Sequence, residues 1–155
     1  MAANGFKWRW NISGGRPLIQ SFYMKDTETL TVGDMLNLES GEVDLMVTSD
    51  VAAVGCFQGP EHPDDSVDGK PGTVSGTDST TLVMAICNPD AVYADDNDTV
   101  ARLPGALLDI SGATGAQTLA ASSNNEFVVV QRKTQSSEEI LVQFTAPTHY
   151  LSKVQ

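Results

Sequence analysis

Few residues of this chain are of the types that do chemistry, and their spacing argues against most of it. The two histidines, His62 and His149, are far apart, and so are the two cysteines, Cys56 and Cys87. A zinc site needs at least three ligands, usually two of them close along the chain, and no such pair exists here. His62 stands beside Asp64 and Asp65 and reads as an exposed loop histidine. The run Asp95-Asp-Asn-Asp98-Thr99 has the spaced carboxylates of a calcium loop, but Val100 occupies the sixth position, where glycine belongs, and no glutamate follows at the twelfth. A serine nucleophile would need an elbow of the Gly-x-Ser-x-Gly kind; Ser75, for example, has Thr73 and Thr77 in place of the glycines. Cys56 and Cys87 lie in apolar runs, which raise a thiol pKa and disfavour the reactive thiolate. No Gly-x-x-x-x-Gly-Lys loop is present, and Ser111-Gly-Ala-Thr-Gly115 opens no helix after a nucleotide-binding strand. The expectation is a protein with no catalytic centre, no metal site and no cofactor.

The residues with the strongest binding character lie near the start. Residues 1–25 contain Lys7, Arg9, Arg16 and Lys25 and no acid, a charge of +4 in a chain whose total is −11, so residues 26–155 carry −15. Both tryptophans, Trp8 and Trp10, fall in the same segment, after Phe6 and before the flexible Gly14-Gly15 and Pro17. Arginine and tryptophan dominate binding hot spots, so Phe6, Lys7, Trp8, Arg9, Trp10 and Arg16 are the candidate partner-binding residues. Residues 1–25 read as an extended N-terminal arm aimed at an acidic partner, and 26–155 as the folded body. The alternation Phe6/Trp8/Trp10 against Lys7/Arg9 fits a first strand with one face inward equally well. A strand added to the edge of a neighbouring subunit would combine the two readings.

The body that must position these residues reads as strands. Leu30 and Val32, Leu36 and Leu38, and Val43, Leu45 and Val47 each alternate with polar or outward residues, the period of two that puts one face in a core. Ser40-Gly41 separates two of these runs and predicts a two-residue hairpin turn. Val51–Phe57 and Thr81–Cys87 are near-continuous apolar runs, as expected of strands covered on both faces. Phe127–Val130 and Ile140–Phe144 flank the polar stretch 134–139 and predict a long hairpin. Gly115–Ser122 is read as a turn or two of helix, and residues 58–80, rich in proline, glycine and acids, as a long loop. The fold class is all-β, a small β-barrel or β-sandwich.

Composition narrows the function further. The 155 residues suit a single domain, and 41% hydrophobic content is enough for a core. Twenty Asp and Glu against nine Lys and Arg repel phosphate backbones, so nucleic acid is not expected as a partner. Apolar runs well short of about 18 residues exclude a membrane helix, and the first residues lack the apolar centre of a signal peptide. Two cysteines in apolar runs suit a reducing compartment rather than a disulfide framework.

The stretch Ala101-Arg-Leu-Pro-Gly-Ala-Leu-Leu-Asp-Ile-Ser-Gly-Ala-Thr-Gly-Ala-Gln-Thr-Leu-Ala120, followed by Ser123-Asn-Asn-Glu-Phe-Val-Val-Val130, resembles the head decoration (cement) proteins of tailed bacteriophages. The openings Thr31-Val-Gly-Asp34 and Val54-Gly55 share the likeness, which covers residues 28–145 loosely and 101–130 better. It implies a small all-β structural protein of the virion, made in the host cytoplasm. Such a protein binds the major capsid protein on the outer capsid surface as a homotrimer and ties neighbouring capsomers through terminal extensions. A phage tail-tube, tail-terminator or neck subunit is the alternative, although tube subunits carry an amphipathic helix that this sequence lacks. A carbohydrate-binding β-sandwich fits less well, since both tryptophans fall in the arm. Leu103-Pro-Gly-Ala-Leu-Leu-Asp109 is also similar to one motif of small trimeric dUTP hydrolases, whose glycine-rich C-terminal tail has no counterpart in Tyr150-Leu-Ser-Lys-Val-Gln155.

Overall fold

A computed structural model describes residues 5–77, 80–95, 98, 100–121, 123–131 and 139–153. The chain is all-β. Its strands, in order, are β1 (Phe6–Asn11), β2 (Ile19–Met24), β3 (Thr29–Thr31), β4 (Met35–Glu39), β5 (Glu42–Leu45), β6 (Ala53–Pro60), β7 (Thr73–Ser75), β8 (Leu82–Ile86), β9 (Ala91–Asp95), β10 (Leu107–Ser111), β11 (Thr118–Ala121), β12 (Phe127–Gln131) and β13 (Ile140–Phe144). Five of them close a barrel in the order β2-β5-β4-β6-β8. Six form a second sheet, β1-β9-β13-β12-β10-β11, and β3 pairs with β7 alone.

The barrel strands that face this sheet are apolar on both sides because they separate two cores. On β4, Leu36 points into the barrel core with Val54, Phe57, Val83 and Ala85, while Met35 joins the core between barrel and sheet. β6 divides likewise, with Val54 and Phe57 inside the barrel and Ala53 and Cys56 outside it. The runs Val51–Phe57 and Thr81–Cys87 therefore have the composition that their position demands. Between barrel and sheet, Phe6 stacks on Phe127 with ring centroids 5.7 Å apart, Phe127 on Phe144 at 4.7 Å, and Tyr93 meets Phe144 edge-on at 5.9 Å.

Ser40 and Gly41 both take positive φ, 53° and 88°, and join paired strands β4 and β5. That is the turn a right-twisted two-residue hairpin requires. β12 and β13 pair antiparallel, as the sequence predicts; residues 132–138 between them lie outside the described residues.

Three expectations are corrected. The first is the arm. β1 pairs along its length with β9, and β2 pairs with both β5 and β8, so residues 6–11 and 19–24 are strands of the two sheets and no boundary falls at residue 25. The physical reason lies in Phe6, which is fully buried and would be exposed on a free tail. The second is the helix at 115–122. Residues 118–121 form β11 against β10, and Gln117 fixes the preceding turn by accepting from the Met35 N–H at 2.6 Å and donating to the Met46 carbonyl at 2.8 Å. Tertiary bonds override the helix propensity of an alanine-rich stretch. The third is the loop 58–80. β6 continues to Pro60, a 3₁₀ turn spans Pro63–Asp65, and β7 buries Val74 against Leu30 of β3. Asp78 and Ser79 lie outside the described residues.

Candidate partner-binding surface

The polar groups that are buried serve the backbone. Asp34, at the end of the Thr31-Val-Gly-Asp34 turn, accepts from the Thr31 N–H at 2.8 Å, the Gly115 N–H at 2.8 Å and the Thr114 hydroxyl at 2.5 Å, tying the β10–β11 turn to the barrel. Burial nevertheless holds its carboxyl above the usual range. Glu126 accepts from the N–H groups of Ser49 and Ile110, and burial raises it too. Burial also opposes ionisation of Asp109, but the N–H groups of Ser123, Asn124 and Asn125 outweigh it and hold this carboxylate below its usual range. Cys56 is fully buried, and burial pushes its thiol up to about 12; Cys87 is raised by burial as well. His62 is exposed at the start of the 3₁₀ turn, far from this chemistry. Among the described residues, no group of three or more His, Cys, Asp and Glu side chains is arranged to hold a metal ion. Of the calcium-like run, Asp95 accepts from the Thr118 hydroxyl, Asp98 pairs with Arg102 at 3.0 Å, and residues 96, 97 and 99 lie outside the described residues.

His149 is a further buried titratable group. Its Nε2–H donates to the Val54 carbonyl at 2.8 Å and its Nδ1 accepts from the Leu151 N–H at 3.2 Å, with the ring near those of Phe144 and Tyr150. A neutral imidazole satisfies both contacts; a proton on Nδ1 would confront the Leu151 donor. Burial holds the imidazole down at about 4. Below about pH 6.5 the unfolded chain binds a proton here that the folded chain refuses until about pH 4, so this group's stability is present at neutral pH and lost as pH falls through that window. Asp34 and Glu126, being raised, act in the opposite sense. The wild type is therefore expected to lose on the order of 3 kcal/mol more than His149→Gln between pH 7 and pH 4, read from urea midpoints. Parallel pH profiles for the two proteins would contradict this.

The six candidate binding residues divide. Phe6 is core, and Trp8 packs against the same core with its indole N–H donating to Asn11 Oδ1 at 3.0 Å. Arg9, set off by a bulge between Trp8 and Trp10, forms an ion pair with Glu139, the residue before β13. Lys7 and Arg16 are exposed, and Trp10 keeps 41% of its surface in water. The structure does not gather all six on one face. Instead it exposes Trp10 and Arg16 together with Ile12 (58% exposed), Leu18 and Ile19, residues that the sequence reading passed over. The signal was available: Ile12 and Leu18 flank Gly14-Gly15 and Pro17, and apolar side chains on a turn have no inner face to occupy.

A second feature is a groove of about 520 Å³ beside the β4–β5 hairpin. Leu38, Leu45, Val47 and Val51 supply apolar walls, and Glu28, Glu39, Asp44 and Asp50 supply charge. Lys25 bonds Glu39 at 2.8 Å and Asp44 at 3.5 Å. Burial, and then the neighbouring Asp50 and Glu39 charges, hold the Asp44 carboxyl above its usual range despite Lys25.

Fold and surface together define an all-β protein in which a closed five-stranded barrel packs on a six-stranded sheet. A scan of the chain against protein-family models finds no match, and searches of curated proteins and of solved structures find none either.

Proposed function

We propose that this protein is a structural subunit of a phage virion that binds the outer surface of the capsid and stabilises it, with the major capsid protein as partner and a homotrimer as the bound form. The observation that carries the reading is where the chain spends its polar and apolar groups. The buried carboxylates Asp34, Asp109 and Glu126 tie loops to the two sheets, as suits a rigid binding module. Meanwhile Trp10, Ile12, Leu18 and Ile19 stand exposed, as does Arg16 in the same stretch of chain, the residue types of a contact surface. Resemblance over residues 101–130 to decoration proteins supplies the particular partner.

Co-sedimentation tests it. Purified protein mixed with DNA-filled capsids of the cognate phage is expected to pellet with them saturably and to raise the temperature at which they release DNA. Protein that stays in the supernatant at every ratio, with capsids intact, would overturn the proposal.

A further inference from the structure

The β1–β2 connection and the acid-lined groove are complementary in shape and in charge, and they lie on the same chain. Gly14 and Gly15 take φ of 81° and 86°, and a Cβ on either would meet nothing within 4 Å, so the turn stands clear of the rest of the molecule. Its base is anchored: the Ile12 and Ser13 N–H groups donate to Asp90, at 3.0 and 2.8 Å, and the Leu18 N–H donates to Asn88 Oδ1 at 2.6 Å. A turn held this way presents Ile12, Arg16 and Leu18 outward and cannot fold back along β2 to its own barrel's hairpin. The groove is concave where the turn is convex. Its four lining carboxylates, Glu28, Glu39, Asp44 and Asp50, outnumber Lys25, which bonds Glu39 and Asp44, and Asp44 Oδ1 is buried with no hydrogen-bond donor among the described residues. An arriving guanidinium brings five N–H donors in a fixed fork, and apolar neighbours on the turn would meet Leu38, Val47 and Val51.

Charge decides how two copies can meet. Groove against groove sets carboxylates against carboxylates, and turn against turn sets Arg16 against Arg16; turn against groove sets opposite charges face to face. We propose that copies of this chain associate head to tail, the Gly14-Gly15 turn of one, with Ile12, Arg16 and Leu18, seating in the groove between Glu28, Glu39, Asp44 and Asp50 of the next. A contact of this kind joins unlike surfaces, so it closes into a ring when the rotation between copies allows, and three copies give the threefold form. The inference rests on the reading of the chain as a subunit of an assembly, and names the surfaces that would hold the subunits together.

Sedimentation velocity of the full chain, alone and without capsids, tests it. The wild type is expected to show a concentration-dependent shift from monomer to a closed oligomer, weakened by added salt. Arg16→Glu is expected to weaken association by about tenfold or more. Glu28→Arg combined with Glu39→Arg should do the same from the groove side; Glu39→Arg also gives up the ion pair with Lys25, so a thermal melt of each variant checks that it remains folded. Placing all three changes in one chain makes the turn acidic and, with Asp44 and Asp50 offset by the two arginines and by Lys25, leaves the groove weakly basic, so it should recover part of the association. A wild type that sediments as a monomer at all concentrations overturns the inference, as does an oligomer that neither the turn variant nor the groove variant shifts. Capsid co-sedimentation, measured separately, then reports whether the proposed function fails with it or stands alone.

Discussion

Removal of residues 1–12 is expected to abolish cooperative folding, leaving a chain with no sharp melting transition by circular dichroism. The truncation deletes β1, an edge strand whose register runs from Phe6 opposite Asp95 to Asn11 opposite Ala91. It also removes the bond from the Phe6 N–H to the Gly33 carbonyl at 2.7 Å, and with it the Phe6 ring that stacks on Phe127. Loss of a buried phenylalanine alone costs about 3–5 kcal/mol, and a domain's whole stability is about 5–15 kcal/mol. Uncovering Phe127 and the Tyr93 edge of β9 adds to that cost. Trp10→Ala is the contrasting variant: its ring is 41% exposed, so the melting temperature should move little. A truncated protein that melted cooperatively near the wild-type temperature would show that the strand is dispensable to the fold.

Gly55→Ala is expected to destabilise by on the order of 5 kcal/mol, from overpacking and backbone strain combined, enough to leave the protein unfolded or insoluble. Gly55 lies in β6 with φ of 147°, and a Cβ there would fall 1.7 Å from the Ile86 carbonyl oxygen and 2.8 Å from the Tyr93 hydroxyl. The first contact is with the backbone of β8, which cannot swing aside as a side chain can. The second is with the ring that joins the barrel to the six-stranded sheet, so relief on one side tightens the other. Gly41→Ala is a useful comparison, since its φ of 88° brings backbone strain but no atom lies within 4 Å of the added methyl. Its cost should be about 1 kcal/mol. Urea midpoints for the two variants separate contact from conformation; similar values would mean that the close approach at Gly55 relaxes.

The candidate surface was partly legible before folding. Arg16 and Trp10 were identifiable from residue type, and both are exposed. Phe6 and Trp8 were identified by the same reasoning and are packed against the core, because residue type says how strongly a side chain interacts and not with what. The groove carboxylates were invisible. Glu39 and Asp44 meet through the pairing of β4 with β5, and Glu28 and Asp50 reach the same wall from segments outside that hairpin.

What the sequence determined by itself was whatever rests on local pattern. Alternation and apolar runs fixed most of the strands and their class, and Ser40-Gly41 fixed a turn whose positive φ values glycine favours. Tertiary structure alone decided the rest. Phe6, Trp8 and Trp10 alternate identically in a free arm and in an edge strand, and their fate depends on whether β9 offers a partner some 85 residues later. Gly115–Ala121 carries helix-forming alanines, and it becomes β11 because Gln117, Thr114 and Gly115 are held by Met35, Met46 and Asp34. Those bonds span about 80 residues of chain. No periodicity in a window of ten or fifteen residues can encode an interaction of that length, since its energy exists only once both ends have been brought together.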